Sequence, residues 1–377
     1  MLNLGKLLYL RDAQPFAFMV ALIFSLFLTP FVRDWAGRLK LLDQPGGRHL
    51  HKNPVPRLGG IAIYFSLLVS CLILVILYGR YTPRGAQPFE LVGLAVGGTL
   101  IFVVGLLDDL SPLPALLKLA SQIAASVLAW FCNVKVLFLV NPLYFIGLSQ
   151  SRVWELDPIL SFVVTIGWLV LITNALNLID GLDGLAAGVA LIVALSLWAI
   201  LLDPKIDQPA GALLASSIAG AVMGFLRWNY NPAQIFLGDS GAYFLGFVLG
   251  GTAVAGLSGN PNTSTVGSVV VLAFMFPIFE LCFTIIRRLI QGKPVMQPDS
   301  DHIHHRFLRA GLSTKRTMLI IVATCFLLGL VAATLSGAHK RYLILLLMTL
   351  SLAILSGFWR RHPIDNSSST TNLQSKT

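Results

Sequence analysis

Asn174, Asn177, Asp180 and Asp183 follow one another at three-residue intervals in the run Asn174-Ala-Leu-Asn-Leu-Ile-Asp-Gly-Leu-Asp-Gly-Leu-Ala-Ala-Gly188. The spacing puts both carboxamides on one helical face if the preceding helix extends that far. The two Asp-Gly pairs then end the helix and turn the chain. Three other segments carry side chains of similar use. They are Leu107-Asp-Asp-Leu110, Phe236-Leu-Gly-Asp-Ser-Gly241 and His302-Ile-His-His-Arg306. Together they bring Asp108, Asp109 and Asp239 to the carboxylate set, and His302, His304, His305 and Arg306 as donors. Carboxylates gathered at a low-dielectric boundary raise one another's pKa or require a cation. Oxygen donors from Asp and Asn select a hard ion, so Mg²⁺ or Mn²⁺ is the expected occupant. Basic loops, including the one with Lys52 and Arg57, suit phosphates. An acidic site, a hard ion and basic loops together point to diphosphate chemistry.

Each motif also has a plainer explanation. Asp-Gly pairs make solvated turns, and Asp239 or Ser240 could cap the helix that follows. The basic stretch Arg48–Arg57 could be a membrane-side anchor. The histidines lack an HExxH pattern or matching cysteines, which argues against zinc. Cys71, Cys132, Cys282 and Cys325 show no CxxC spacing and read as small core residues.

The elements that must hold these residues are set by composition. The chain has 377 residues, 56% hydrophobic and 12% charged, against about 25% charged in soluble domains. It therefore reads as an all-α polytopic integral membrane protein embedded in a lipid bilayer. The net charge of +10 has no separate basic domain to carry it, so nucleic acid is excluded as a partner. About eleven apolar segments of spanning length run at 15–32, 58–78, 91–107, 113–131, 159–176, 185–202, 210–227, 240–258, 267–286, 317–336 and 341–359. The first follows Lys6 and Arg11 without a small-residue cleavage site, so it is expected to be retained. Residues 1–361 form one transmembrane domain and 362–377 a disordered cytoplasmic tail. Residues 136–146 read as a hairpin turning at Asn141-Pro142.

The two largest basic clusters fix the orientation. Arg33, Arg38, Lys40, Arg48, Lys52 and Arg57 form one, and Arg287, Arg288, Lys293, Arg306, Arg309, Lys315 and Arg316 form the other. Both fall inside if the N-terminus is outside and the C-terminus inside. That orientation sends every polar motif to the same face, and so to one cytoplasmic-face cleft.

These motifs, in this order, resemble the polyprenyl-phosphate N-acetylhexosamine-1-phosphate transferase family, glycosyltransferase family 4. It includes initiating enzymes of O-antigen, enterobacterial common antigen and teichoic acid synthesis, and the phospho-muramoyl-pentapeptide translocase. The His-Ile-His-His-Arg motif, with Pro298-Asp-Ser-Asp before it, is similar to the undecaprenyl-phosphate N-acetylglucosamine-1-phosphate branch. The resemblance implies a helical bundle in the bacterial plasma membrane whose active site faces the cytoplasm. It implies that undecaprenyl phosphate attacks the β-phosphorus of a UDP-N-acetylhexosamine, UDP-N-acetylglucosamine in this branch, and that UMP is released. By similarity, Asp239 and Asn177 would ligate Mg²⁺, and Lys52 would lie near the lipid phosphate. Asp108, with Asp109 beside it, would serve catalysis. Asn174, Asp180 and Asp183 would shape the nucleotide pocket, and His302, His304, His305 and Arg306 would hold the diphosphate or sugar.

Other UDP-sugars, such as UDP-N-acetylgalactosamine or the muramoyl-pentapeptide donor, would use the same chemistry, and a homodimer is left open. An ion-coupled transporter fits less well, because transporters place acids near the bilayer midplane in related halves. Here the acids sit at one edge and no repeat is visible.

Overall fold

An apolar run in lipid must satisfy its backbone polar groups internally, so it closes into a helix. The computed structural model describes residues 13–43, 54–78, 88–203, 206, 208–256, 270–294, 301–338 and 340–346. Within them the helices are α1 (Ala13–Arg38), α2 (Gly59–Tyr78), α3 (Pro88–Leu110), α4 (Ala115–Phe131), the short α5 (Pro142–Phe145) and α6 (Pro158–Leu178). They continue with α7 (Leu185–Leu201), α8 (Pro209–Asn229), α9 (Gly238–Ala255), α10 (Met275–Ile290), α11 (Ile303–Arg309) and α12 (Thr314–Leu335).

Among the described residues, six helices are long and apolar enough to cross a membrane: α1, α2, α3, α6, α8 and α12. Two more, α4 and α7, are apolar but shorter. The expected segment 267–286 is described only in part, and it is not one continuous helix. Residues 270–273 are helical, Phe274 turns, and α10 begins at Met275. Pro277 explains the break, since it has no N–H to offer the carbonyl of Ala273. The eleventh expected segment is described only as far as residue 346, where it is helical. Lys52 and the tail 362–377 lie outside the described residues.

Every residue of α7 is buried. It packs against α8 and α12 and touches α9, while α9 packs against α3, α6 and α2. The core therefore runs through α7, α8 and α9, and the lipid-exposed residues lie on the outer helices. Phe27, Phe31, Val75, Ile76, Leu116 and Ile159 are examples of such exposed apolar side chains.

The expected hairpin is corrected by the structure. The strand β3 (Phe138–Val140) forms, but its partner is β4 (Val153–Glu155), with Phe138 opposite Glu155. The stretch after Asn141 is the helical turn α5. The Asn141 side chain accepts from Leu143 N at 3.0 Å and Pro142 occupies the first helical position. An Asn cap followed by Pro starts a helix more readily than a strand. A second small pair, β1 (Leu42–Asp43) with β2 (Val55–Pro56), sets Asp43 opposite Val55.

One end of the bundle collects the chain's polar turns. There α3, α6 and α8 finish and α2, α4, α7, α9 and α12 begin. The segment before α9 is stitched to the start of α2 through the backbone. Phe236 N donates to Pro56 O at 2.8 Å, Gly59 N to Phe236 O at 2.9 Å, and Gly60 N to Leu237 O at 2.9 Å.

Candidate active site

A cavity of about 330 Å³ opens at this end of the bundle. Its walls include Asn177 at the end of α6, Asp180 and Asp183 after it, Asn229 and Asn231, Asp239, and the three histidines His302, His304 and His305. Segments far apart in sequence thus supply one site.

Asn177 stands on the last turn of α6 and donates its Nδ2 to Asp239 Oδ1 at 2.9 Å. Asp239 stands in the first turn of α9. The helix begins at Gly238, whose φ is +75°. A Cβ there would strike the Arg57 carbonyl and lie 2.6 Å from Asp109 Oδ2, so this position demands glycine.

The cap of α9 comes from another helix. Neither Asp239 nor Ser240 supplies it. Asp109, near the end of α3, accepts from Asp239 N at 2.8 Å, from Ser240 N at 3.0 Å and from Ser240 Oγ at 2.6 Å. A carboxylate at a helix N-terminus satisfies orphan N–H groups and complements the helix dipole. Its neighbour Asp108 is buried and engaged on both oxygens. Oδ1 accepts from Leu113 N at 2.6 Å, and Oδ2 meets Lys118 Nζ at 2.8 Å. The same ammonium lies 3.9 Å from Asp239 Oδ2. Lys118, on α4, therefore ties Asp108 to Asp239.

The loop between α6 and α7 is fixed by Asp183. Its Oδ2 accepts from Asn231 Nδ2 at 2.9 Å and from Ala233 N at 3.0 Å. Asp180 keeps some exposure to the cavity but is otherwise walled in by protein. Burial first, then the neighbouring carboxylates Asp239, Asp109 and Asp183, push its pKa up to about 8. Arg57, the one Arg or Lys among the described residues that line the cavity, pulls the other way. It is held by Asp43 at 3.4 Å.

His304 is buried and its Nε2 has no hydrogen-bond partner among the described residues. Burial, with His305 and His302 beside it, lowers its pKa to about 3, so it is neutral at pH 7. A Cβ on Gly181 would stand 2.5 Å from that Nε2, so glycine lets the Asp-Gly turn pass against the ring.

Besides Asp108 and Asp109, which meet Asp239 or its neighbour Lys118 without lining the cavity, two expected site residues are turned elsewhere. Asn174 pairs with Gln122 on α4, donating to its Oε1 at 2.6 Å, and does not line the cavity. A polar pair between membrane helices finds its partner sideways, which drew Asn174 to α4. Arg306 donates to Asp301 at 2.8 Å, lies over the Phe283 ring, and is not among the lining residues. Asp301, which also meets Arg287 and Arg309, is held well below the usual carboxylate range by these guanidiniums, Arg306 foremost. Lys118 and Gln122 lie outside the sequence motifs, and Arg57 is expected there only as part of a basic loop. A lone lysine inside an apolar span is a signal for Lys118. Gln122 carries no such mark.

The donor set suits a hard ion that also binds substrate. Among the described residues no group of three or more His, Cys, Asp or Glu side chains gathers at metal-holding distance. Mg²⁺ does not need such a cage, because one or two protein ligands with phosphate oxygens and water suffice. Asp239 and Asn177 are such a pair, and the carboxylates that crowd Asp180 leave an anionic pocket a cation would neutralise.

The profile described as glycosyl transferase family 4 matches residues 91–257. A Bacillus subtilis protein called a probable undecaprenyl-phosphate N-acetylglucosaminyl 1-phosphate transferase is 34% identical over 328 residues, 85% of each chain. An undecaprenyl-phosphate alpha-N-acetylglucosaminyl 1-phosphate transferase of Thermotoga maritima is 30% identical, over 88% of this chain and 94% of its own. A phospho-N-acetylmuramoyl-pentapeptide-transferase of Bacillus anthracis is 29% identical, over 83% of this chain and 93% of its own. The similarity extends over most of the chain, and the chain belongs to glycosyl transferase family 4, in its polyprenyl-phosphate N-acetylglucosamine-1-phosphate transferase branch.

Proposed function

We propose that this protein transfers N-acetylglucosamine-1-phosphate from UDP-N-acetylglucosamine to undecaprenyl phosphate at the cytoplasmic face of a bacterial plasma membrane. A phosphate oxygen of the lipid forms a bond to the β-phosphorus. The bond from that phosphorus to the bridging oxygen breaks, and UMP leaves with the electron pair. The carrying observation is one cavity that gathers Asn177, Asp180, Asp183 and Asp239 with His302, His304, His305 and Arg57.

Asp239 and Asn177 are the residues that would hold Mg²⁺, through Oδ2 or Oδ1 of the acid and Oδ1 of the amide. Bound there with the donor's phosphates, the ion neutralises charge that builds on them. The remaining roles belong to the chain itself. Lys118 places a positive charge between Asp108 and Asp239, where an acceptor phosphate would have to approach. Asp108 holds Lys118 and the turn at Leu113, so its role is positioning. A phosphate monoester has a second pKa near 6, so the lipid phosphate is mostly dianionic at pH 7 and needs little deprotonation. Positioning and charge neutralisation then carry most of the rate. Asp109 works at one remove by fixing the start of α9, and with it Asp239. Asp183 does the same for the loop that carries Asp180. Neutral His304 offers an unmade hydrogen bond to the ligand.

The test is UMP release by purified protein with undecaprenyl phosphate and, in parallel, UDP-N-acetylglucosamine, UDP-N-acetylgalactosamine and UDP-N-acetylmuramoyl-pentapeptide. Turnover confined to the last donor would replace the branch assignment while keeping the reaction. Solute uptake by reconstituted vesicles without UMP release would replace the reaction itself.

A further inference from the structure

Glu280 lies at the middle of α10, 1% exposed, behind the histidine segment. A buried carboxylate is costly unless paired and fully hydrogen-bonded. Its Oε1 accepts from Ile303 N at 3.0 Å and stands 3.3 Å from His302 Nδ1. Its Oε2 is buried without a hydrogen-bond partner among the described residues. Thr284, one turn further along α10, puts its hydroxyl 3.4 Å from the same Nδ1. The only ion-pairing side chain within reach of Glu280 among the described residues is thus His302, which lines the cavity. A carboxylate left half-satisfied behind a cavity histidine has the arrangement of an orienting partner. An imidazole whose Nδ1–H points to a carboxylate is fixed in tautomer and ring orientation and turns Nε2 to its ligand.

We infer that Glu280 is a positioning residue: it holds the Nδ1 proton of His302 and so aims Nε2 of that ring at the sugar-phosphate donor in the cavity. The inference rests on the proposed transfer reaction for what the donor is. The orientation of the ring does not depend on it. The Thr284 hydroxyl oxygen can then accept at the edge of the same N–H, which keeps the ring from rotating away. His302 and His304 rings lie 5.5 Å apart, and His304 and His305 rings 4.4 Å apart, so an error in His302 is passed along the row.

The experiment compares the unaltered protein, Glu280→Gln, His302→Gln and the double variant in detergent. Spectra of ¹⁵N-histidine protein, assigned by the signal lost in His302→Gln, report the His302 tautomer without any turnover. Steady-state UMP release with UDP-N-acetylglucosamine reports function. We expect an Nδ1-protonated His302 in the unaltered protein and a changed His302 signal in Glu280→Gln. We expect kcat/KM for the donor to fall about 10–100-fold in Glu280→Gln. The double variant should be no worse than His302→Gln, because the two residues act as one unit. An Nε2-protonated His302 in the unaltered protein would overturn the inference. So would full activity in Glu280→Gln, or losses that multiply in the double variant. If the unaltered protein releases no UMP, the proposed reaction fails while the spectra still decide the role of Glu280.

Discussion

Asp109 and Ser240 are joined twice across two helices: one carboxylate oxygen, Oδ2, accepts both the backbone N–H at 3.0 Å and the hydroxyl at 2.6 Å. The other oxygen takes the N–H of Asp239 at 2.8 Å. The side chain that caps the start of α9 is therefore supplied by α3. Helix caps are worth about 0.5–2 kcal/mol and hydrogen bonds to charged groups about 1.5–3 kcal/mol. Asp109→Ala should destabilise the protein by about 2 kcal/mol, seen as a lower thermal midpoint in detergent. Asp109→Asn should lose less, because one acceptor oxygen remains. An unchanged midpoint in Asp109→Ala would show that the cap carries no weight.

Asp108 has its two oxygens committed to Leu113 N and Lys118 Nζ, which leaves it poorly placed to take a proton. Asp108→Asn should therefore lower turnover at every pH, with a flat ratio to the unaltered enzyme between about pH 7 and 9, above the second phosphate pKa. Activity of the variant that climbs back with rising pH would instead make Asp108 a general base.

Asp180 is expected to couple ion binding to stability. Its pKa is pushed up to about 8 by burial and then by the carboxylates around it, whereas the unfolded chain has an Asp pKa of about 4. Between those values the folded state holds a proton that the unfolded state has released. That contribution is complete below about pH 4 and disappears as pH rises through 8. In EDTA the thermal midpoint should fall between pH 6 and 9. Mg²⁺ should raise it again, more strongly at the higher pH, and Asp180→Asn should flatten the slope. A Mg²⁺ gain that is absent or independent of pH would contradict an ion at this pocket.

Much of the architecture is legible in the sequence because lipid leaves so few options. Apolar runs such as 185–202 have to be helices, and the structure makes α7 the most enclosed of them. The grouping of Asn177, Asp180, Asp183 and Asp239 follows from charge that must all face one side. What the sequence does not reveal are the sideways partners. Nothing local says that Asp109 caps a helix 130 residues away, that Asn174 leans on Gln122, or that Lys118 sits between two acids. These depend on which helices touch, and an apolar pattern marks which face is buried without naming its neighbour. The misplaced hairpin has a different cause. Asn141-Pro142 is a turn signal that also starts a helix, and the helix start won. Likewise Pro277 breaks a run that looks continuous by hydropathy alone.

The central claim is that Asp239, held by Asn177 at 2.9 Å, is where an ion presents the nucleotide diphosphate to the lipid. The measurement that bears on it most directly is UMP release from UDP-N-acetylglucosamine and undecaprenyl phosphate, with Mg²⁺ and with EDTA, for the unaltered protein and Asp239→Asn. We expect release only with Mg²⁺, and a loss of at least about 100-fold in Asp239→Asn at every pH. Equal release in EDTA, or an Asp239→Asn variant as fast as the unaltered protein, would contradict the account.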